Sequence, residues 1–220
     1  MQPLREDRPT ERSGSGSLAP TAVGRRVAVL YATREGHTGR IAEHVAAELR
    51  WKGLLADVRH IEDAGTPVDF SAYDGLVLAG SVHLGKHERE LVKFVERHRQ
   101  ELEQRPTAFL SVSMSEAGVE QLGRPEDQRA KAHADVQRMI DEFFEQTGWH
   151  PARVKPVAGA VLYTKYNALI RFVMKRISKA EGGDTDTSRD YEYTDWVALD
   201  RFVDELADEI RTRPAATSPT

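Results

Sequence analysis

The chain has 220 residues, 40% hydrophobic and 30% charged, with a formal net charge of -4, a pI near 6.1 and a mean hydropathy of -0.54. These values describe one domain with appendages, long enough to bury a core and without the positive surplus of a general nucleic-acid binder. The absence of cysteine excludes disulfides, thiolate nucleophiles and cysteine-ligated metal or iron–sulfur centres and points to a reducing cytoplasm, while no run approaches the roughly 20 apolar residues of a membrane span.

Residues 1–25 are rich in Pro, Ser, Gly and charge and have no apolar stretch, so they read as a disordered lead and not as a secretory signal. A short tail at 212–220 reads likewise, and the folded domain is expected over 26–211. Val27–Tyr31 (VAVLY) is a short buried-strand pattern, and Ile41, Val45 and Leu49 recur at helical spacing, predicting a first helix from about Thr38 to Lys52 with Gly53 at its end. Between them lies Thr33-Arg34-Glu35-Gly36-His37-Thr38. A turn that leaves a strand and opens a helix aims unsatisfied N–H groups at one spot, with the positive end of the helix dipole behind them, and so attracts an anion. Thr33 and Thr38 add hydroxyls, and Gly36 lets the backbone bend close. The same six residues also suit an ordinary N-cap turn.

Leu55–Ile61 reads as a second strand, its Asp57 and Arg59 marking an exposed edge. Gly75–Ala79 (GLVLA) has the continuous apolar character of a central parallel strand and empties into Gly80-Ser81-Val82-His83-Leu84-Gly85. Glu88–Gln100 places Leu91, Phe94 and Val95 on one helical face. Thr107–Ser113 is a fourth strand that opens into a loop, Met114-Ser115-Glu116-Ala117-Gly118. A helix over Glu126–Thr147 leads through Gly148-Trp149-His150-Pro151 to a fifth strand, Val154–Leu162. Strands alternating with helices imply right-handed βαβ units and an α/β, doubly wound parallel sheet. In such sheets ligands sit beyond the carboxyl ends of the strands, so the loops after strands one, three and four should converge on one crevice. The small residues Ser81, Gly85, Ser113, Ser115 and Gly118 leave room for backbone amides to approach a flat heterocycle, although each loop alone is equally an ordinary turn.

The spacing T-x-x-G-x-T at 33–38 resembles the phosphate loop of the flavodoxins, which holds the monophosphate of FMN without a Gly-rich dinucleotide fingerprint or a Walker lysine. The last third of the chain narrows the resemblance. Gly159-Ala160-Val161-Leu162-Tyr163, the basic-apolar stretch after it, Gly182-Gly183-Asp184-Thr185-Asp186-Thr187 and Tyr193-Thr194-Asp195-Trp196 are similar to the corresponding parts of the quinone-dependent protoporphyrinogen oxidases, flavodoxin-superfamily enzymes of bacterial haem synthesis. The resemblance covers about Val27–Ile210. It departs at Thr164-Lys165-Tyr166, where the family pattern has a proline and an arginine.

The resemblance implies a flavodoxin-like five-stranded sheet in the order 2-1-3-4-5, with a basic amphipathic helical insertion at about 163–194 before the last helix. It also implies one noncovalent FMN, its phosphate at Thr33, Arg34, Glu35, Gly36, His37 and Thr38, and its ring flanked by Ser81, Val82, His83, Leu84, Gly85, Ser113, Met114 and Ser115. The implied reaction is oxidation of protoporphyrinogen IX to protoporphyrin IX, with electrons passed to menaquinone or ubiquinone. The flavin carries that chemistry and no dedicated catalytic residue is demanded. His37 and His83 can hydrogen-bond the phosphate or the ring edge, or can be solvated loop histidines. Asp184 and Asp186 lack a third ligand, and no metal is assigned.

Thr164–Lys179 carries five charges, all positive: Lys165, Arg171, Lys175, Arg176 and Lys179. At helical spacing Tyr166, Leu169, Ile170, Val173, Met174 and Ile177 gather on the other side. Such a helix can lie in the headgroup plane on the inner face of the cell membrane, each cation contributing roughly 1 kcal/mol against anionic lipid, and can meet the propionates of a porphyrinogen; it can equally pack on the domain as a core helix. In the final helix, Asp195–Ile210, the residues Trp196, Leu199, Val203, Leu206 and Ile210 form a stripe opposite Asp200, Asp204 and Asp208, which predicts packing on the sheet. An electron carrier serving protein partners, an FMN-dependent quinone reductase and a flavin-free relative stay open as alternatives, as does a homo-oligomer.

Overall fold

A computed structural model describes residues 24–63, 67–121, 123–165, 171–172, 175 and 185–213. In chain order they form β1 (Arg26–Ala32), α1 (His37–Trp51), β2 (Leu55–His60), β3 (Gly75–His83), β4 (Lys86–His87), α2 (Arg89–Glu103), β5 (Thr107–Ser113), α3 (Met114–Glu120), α4 (Glu126–Thr147), β6 (Arg153–Ala158), β7 (Ala160–Val161), β8 (Tyr191–Glu192) and α5 (Trp196–Thr212). Five strands pair in parallel in the order β2-β1-β3-β5-β6, which is the expected 2-1-3-4-5 once only the parallel strands are counted.

Both faces of this sheet are buried because successive side chains point to opposite sides of each strand. Val27, Val29, Val77, Ala79, Leu110 and Val157 share one core with Ile41, Val45 and Leu49 of α1 and Leu199, Val203, Leu206 and Ile210 of α5. Ala28, Leu30, Leu76, Leu78 and Phe109 point the other way, onto Leu91, Val95 and Leu102 of α2, Phe143 of α4 and Trp149. The α5 helix docks closely: a Cβ at Gly75 would stand 2.6 Å from Cδ1 of Ile210. The helix begins where predicted, with the Asp195 carboxylate accepting the Ala198 N–H at 2.9 Å as its N-cap.

Three segments differ from the sequence expectation, all at the carboxyl end of the sheet. The third strand does not end at Ala79 but continues to His83, so Ser81, Val82 and His83 are strand residues; Leu84 and Gly85, with φ of 50° and 78°, then turn the chain into β4, which pairs antiparallel with it. Two consecutive positive φ values make a two-residue primed hairpin turn. The apolar run stops early because these last positions are only half buried and tolerate polar side chains. The expected loop at 114–118 is instead α3, which starts straight out of β5. Its N-cap is Ser113, whose hydroxyl oxygen accepts the Glu116 N–H at 3.2 Å, and the Ser-x-x-Glu spacing is that of a capping box. The fifth strand breaks at Gly159: β6 stays in the main sheet, while β7 pairs antiparallel with β8. There the Gly159 N–H donates to the Ser113 carbonyl at 2.9 Å and its own carbonyl accepts the Tyr193 N–H at 3.1 Å.

The lead at 1–23, the tail at 214–220 and Gly182, Gly183 and Asp184 lie outside the described residues, as do Tyr166, Leu169, Ile170, Val173, Met174, Arg176, Ile177 and Lys179 of the expected amphipathic helix. Of that stretch, Tyr163–Lys165 is a single 3₁₀ turn, and Arg171, Phe172 and Lys175 are helical. Among the described residues no helix is long and apolar enough to cross a membrane.

His87 of β4 is 7% exposed, its ring packed at a tilt against Phe109 and Phe143, with Nε2 2.9 Å from the Ser111 hydroxyl. Burial pushes its imidazolium pKa down to about 4. The folded protein therefore keeps His87 neutral where the unfolded chain, titrating near 6.5, has already taken up a proton. Stability from this group is fully present above the unfolded value and is lost as pH falls from about 6.5 to about 4, by about 3 kcal/mol in all. His87→Asn should flatten that part of a plot of unfolding free energy against pH; an unchanged acid slope would contradict the assignment.

Candidate functional site

The carboxyl ends of β1, β3 and β5 open into one cavity of about 350 Å³. Of the fourteen predicted cofactor residues, twelve line it: Thr33, Glu35, His37, Thr38, Ser81, Val82, His83, Leu84, Gly85, Ser113, Met114 and Ser115. Gly36 is part of the 33–38 turn itself, as the left-handed cap of α1, and Arg34 lines a neighbouring cavity. Sequence reasoning missed Val112, Gly159 and Ala160, and also Asp135, Arg138 and Met139 of α4. The spacing of the last three puts them on one helical face, a signal the sequence carried.

The turn at 33–38 has the geometry its composition suggested. Gly36 caps α1 with φ of 90°, a conformation that side chains other than glycine rarely adopt. Its N–H donates to Thr33 Oγ1 at 3.0 Å, so this amide is spent within the turn. The next three N–H groups, of His37, Thr38 and Gly39, find no acceptor among the described residues, as the first turn of a helix requires. Among the described residues, a cation of the insertion reaches this turn. Lys165, at the start of the insertion, places Nζ 3.5 Å from the Glu35 carbonyl oxygen and 3.9 Å from where a Cβ on Gly36 would lie. Its own turn is held by Asp190, whose carboxylate accepts from the Thr164 N–H and hydroxyl, both at 2.8 Å.

His37 is not a solvated loop residue. It is 5% exposed, and its Nε2 lies 2.8 Å from the Thr194 hydroxyl, which itself donates to the Ala158 carbonyl at 2.7 Å. Since the threonine proton is committed to that carbonyl, His37 carries its proton on Nε2, and Nδ1 is left buried without a partner among the described residues. Burial is the main cause that lowers its pKa, reinforced by Arg40 and Lys165 and opposed by Glu192, so the ring is held neutral. The Tyr193-Thr194-Asp195-Trp196 stretch thus ties the start of α1 to the end of β6, with Trp196 packed 4.6 Å from the His44 ring.

His83 is half buried, its Nε2 3.3 Å from Oε1 of Glu88. The Glu88 side chain is 4% exposed and also takes Ser81 Oγ at 3.2 Å and Arg34 Nη2 at 3.2 Å. One buried carboxylate therefore fastens the first loop to the end of β3, a role nothing in the local sequence advertised. On α3, burial together with the Glu116 and Asp195 carboxylates pushes Glu120 up to about 7. Leu84, at the tip of the hairpin, is 94% exposed on the rim.

These observations meet the demands of a flavin mononucleotide. Orphan helix-start amides, a glycine that keeps the approach open and a lysine above it suit a phosphate, and the small residues at 81, 85, 113 and 115 beside Leu84, Met114 and Met139 suit a flat ring. The family model described as a flavodoxin domain matches residues 28–188. The protoporphyrinogen IX dehydrogenase [quinone] of Escherichia coli (strain K12) is 32% identical over 179 residues, covering 81% of this chain and 93% of that one. The protein of the same name from Leishmania major is 31% identical over 180 residues, 81% of this chain and 73% of its own. Among solved structures, a short-chain flavodoxin associated with a bacterial microcompartment aligns at 17% identity with a TM-score of 0.47, over 84% of this chain and 99% of that one. The chain belongs to the FMN-binding flavodoxin-domain family and, within it, to the family of the quinone-dependent protoporphyrinogen IX dehydrogenases.

Proposed function

We propose that the protein oxidises protoporphyrinogen IX to protoporphyrin IX, passing the electrons through FMN to menaquinone or ubiquinone at the surface of a membrane. The observation that carries this reading is the convergence of Thr33, Glu35, His37 and Thr38 with residues 81–85 and 113–115 on one cavity, in a chain with relatives named for that activity. The chemistry supplied by the bound flavin is two-electron transfer from the reduced macrocycle to the quinone. The chain's own residues bind and orient. The N–H groups of His37, Thr38 and Gly39, the Thr38 hydroxyl and Lys165 would hold the phosphate; Ser81, Val82, His83, Gly85, Ser113 and Ser115 would border the ring; Met114 and Met139 would give it an apolar wall.

The membrane part of the proposal rests on what the insertion exposes. Phe172 is 59% exposed beside exposed Lys175, and Leu84 stands bare on the rim of the same crevice. Lys165 is turned to the 33–38 turn and the half-buried Arg171 donates from Nε to the Tyr163 carbonyl at 3.1 Å, so among the described residues of the insertion's basic stretch the exposed cation left for a membrane is Lys175. An apolar ring next to cations is the pattern that inserts at an anionic interface. The test is turnover of protoporphyrinogen with a quinone dissolved in phosphatidylglycerol vesicles, with vesicle binding measured alongside. Wild-type protein should bind and turn over, and the pair Phe172→Asp and Lys175→Glu should lose vesicle binding and slow the reaction about tenfold with FMN still bound. Turnover that is indifferent to vesicles and to the pair would remove the membrane role.

A further inference from the structure

A second cavity, of about 370 Å³, lies beside the flavin crevice and shares two wall residues with it, His83 and Met139. The two spaces are therefore neighbours across one imidazole and one thioether. Its walls divide by chemistry. Val92, Met139 and Phe143 supply an apolar side, while Lys86 and Arg89 supply cations. Two acids also border it, and each already has an arginine partner: Glu88 pairs with Arg34 at 3.2 Å, and Glu142 with Arg138 at 3.1 Å, an arginine it shares with Asp135. Lys86 and Arg89 form no ion pair among the described residues, and both are exposed. Arg89 is moreover the first residue of α2, at the end of a helix where the dipole disfavours a cation.

A largely polar pocket with two unpaired cations and a short apolar side fits the carboxylate edge of a molecule that is otherwise apolar. We propose that this cavity receives the carboxylate edge of the reducing substrate, Lys86 and Arg89 pairing with its propionates while the macrocycle reaches past His83 and Met139 to the flavin. The proposal rests on the porphyrinogen reading above and deepens it. The opposite orientation, with the propionates on the insertion's cations, would bring no counter-charge to Lys86 and Arg89.

The experiment uses the full-length FMN-loaded protein and two probes: protoporphyrin IX, the oxidised macrocycle with the same propionates, and its dimethyl ester. Binding is followed by porphyrin fluorescence for wild type and for the pair Lys86→Ala and Arg89→Ala. The expected result is a loss of about tenfold or more in affinity for the acid in the variant, no change for the ester, and unchanged FMN content. Wild-type protein that does not bind the acid, a variant that binds it as wild type does, or equal losses for acid and ester would each overturn the proposal. Turnover of protoporphyrinogen by wild type is measured separately. Its absence alongside the acid-specific loss would contradict the proposed function while supporting the assignment of this cavity.

Discussion

Gly36→Val should lower FMN affinity about 100-fold, most of it through the phosphate. Residue 36 has φ of 90°, where a β-branched side chain costs about 1–3 kcal/mol or forces the turn to re-form. Either outcome displaces the amides of residues 37–39 from their common focus, and the new side chain would also crowd Lys165, whose Nζ lies 3.9 Å from the Cβ position. Riboflavin, which lacks the phosphate, should be bound almost equally by variant and wild type. Lys165→Ala should act on the same group more weakly, lowering FMN affinity about fivefold and reducing its salt dependence, because an exposed cation acts partly through screened charge. Fluorescence titrations with the two flavins measure both effects. Unaltered FMN binding in Gly36→Val, or equal losses for FMN and riboflavin, would show that the phosphate lies elsewhere.

Leu206→Ala should cost about 2–5 kcal/mol of unfolding free energy, the range for truncating a fully buried leucine. Leu206 is 1% exposed in the core shared by α1, α5 and one face of the sheet, and it lines neither cavity. Urea denaturation should therefore show a lower midpoint with an unchanged slope, while FMN affinity in the absence of denaturant stays at the wild-type value. A midpoint that does not move would mean that α5 is not part of the core.

The core was legible because its signals are local and periodic. VAVLY, GLVLA and TAFLSVS are strands buried on both faces, and the Leu199, Val203, Leu206 and Ile210 stripe could face only inward. The crevice was legible for a related reason: a doubly wound sheet brings the ends of β1, β3 and β5 together whatever their loops contain. What escaped was set by contacts between distant residues or by weak local signs. The extension of β3 beyond Ala79 depends on pairing with β5 and β4, and its polar residues concealed it. The capping box at Ser113 and Glu116 was present in the sequence but was masked by Gly118, which argued for a loop. His37 looked like a loop histidine because its partner, Thr194, lies 157 residues away. Glu88 carried no mark at all; only the fold brings Arg34, Ser81 and His83 around it. Lys165 was read by its charge alone, as one of five cations on a helix, whereas the turn at 163–165 directs it to the Glu35 carbonyl in the 33–38 turn.

The central claim is that a flavin in this crevice takes electrons from a porphyrinogen, and the most direct test is a single half-reaction. FMN-loaded protein is mixed anaerobically with protoporphyrinogen IX, without quinone, while the flavin absorbance and porphyrin fluorescence are recorded together. The flavin band should bleach as porphyrin fluorescence rises, at a rate no slower than steady-state turnover, and Gly36→Val at the same protein concentration should show little of either because it holds little FMN. A flavin that stays oxidised in the presence of excess porphyrinogen would contradict the account.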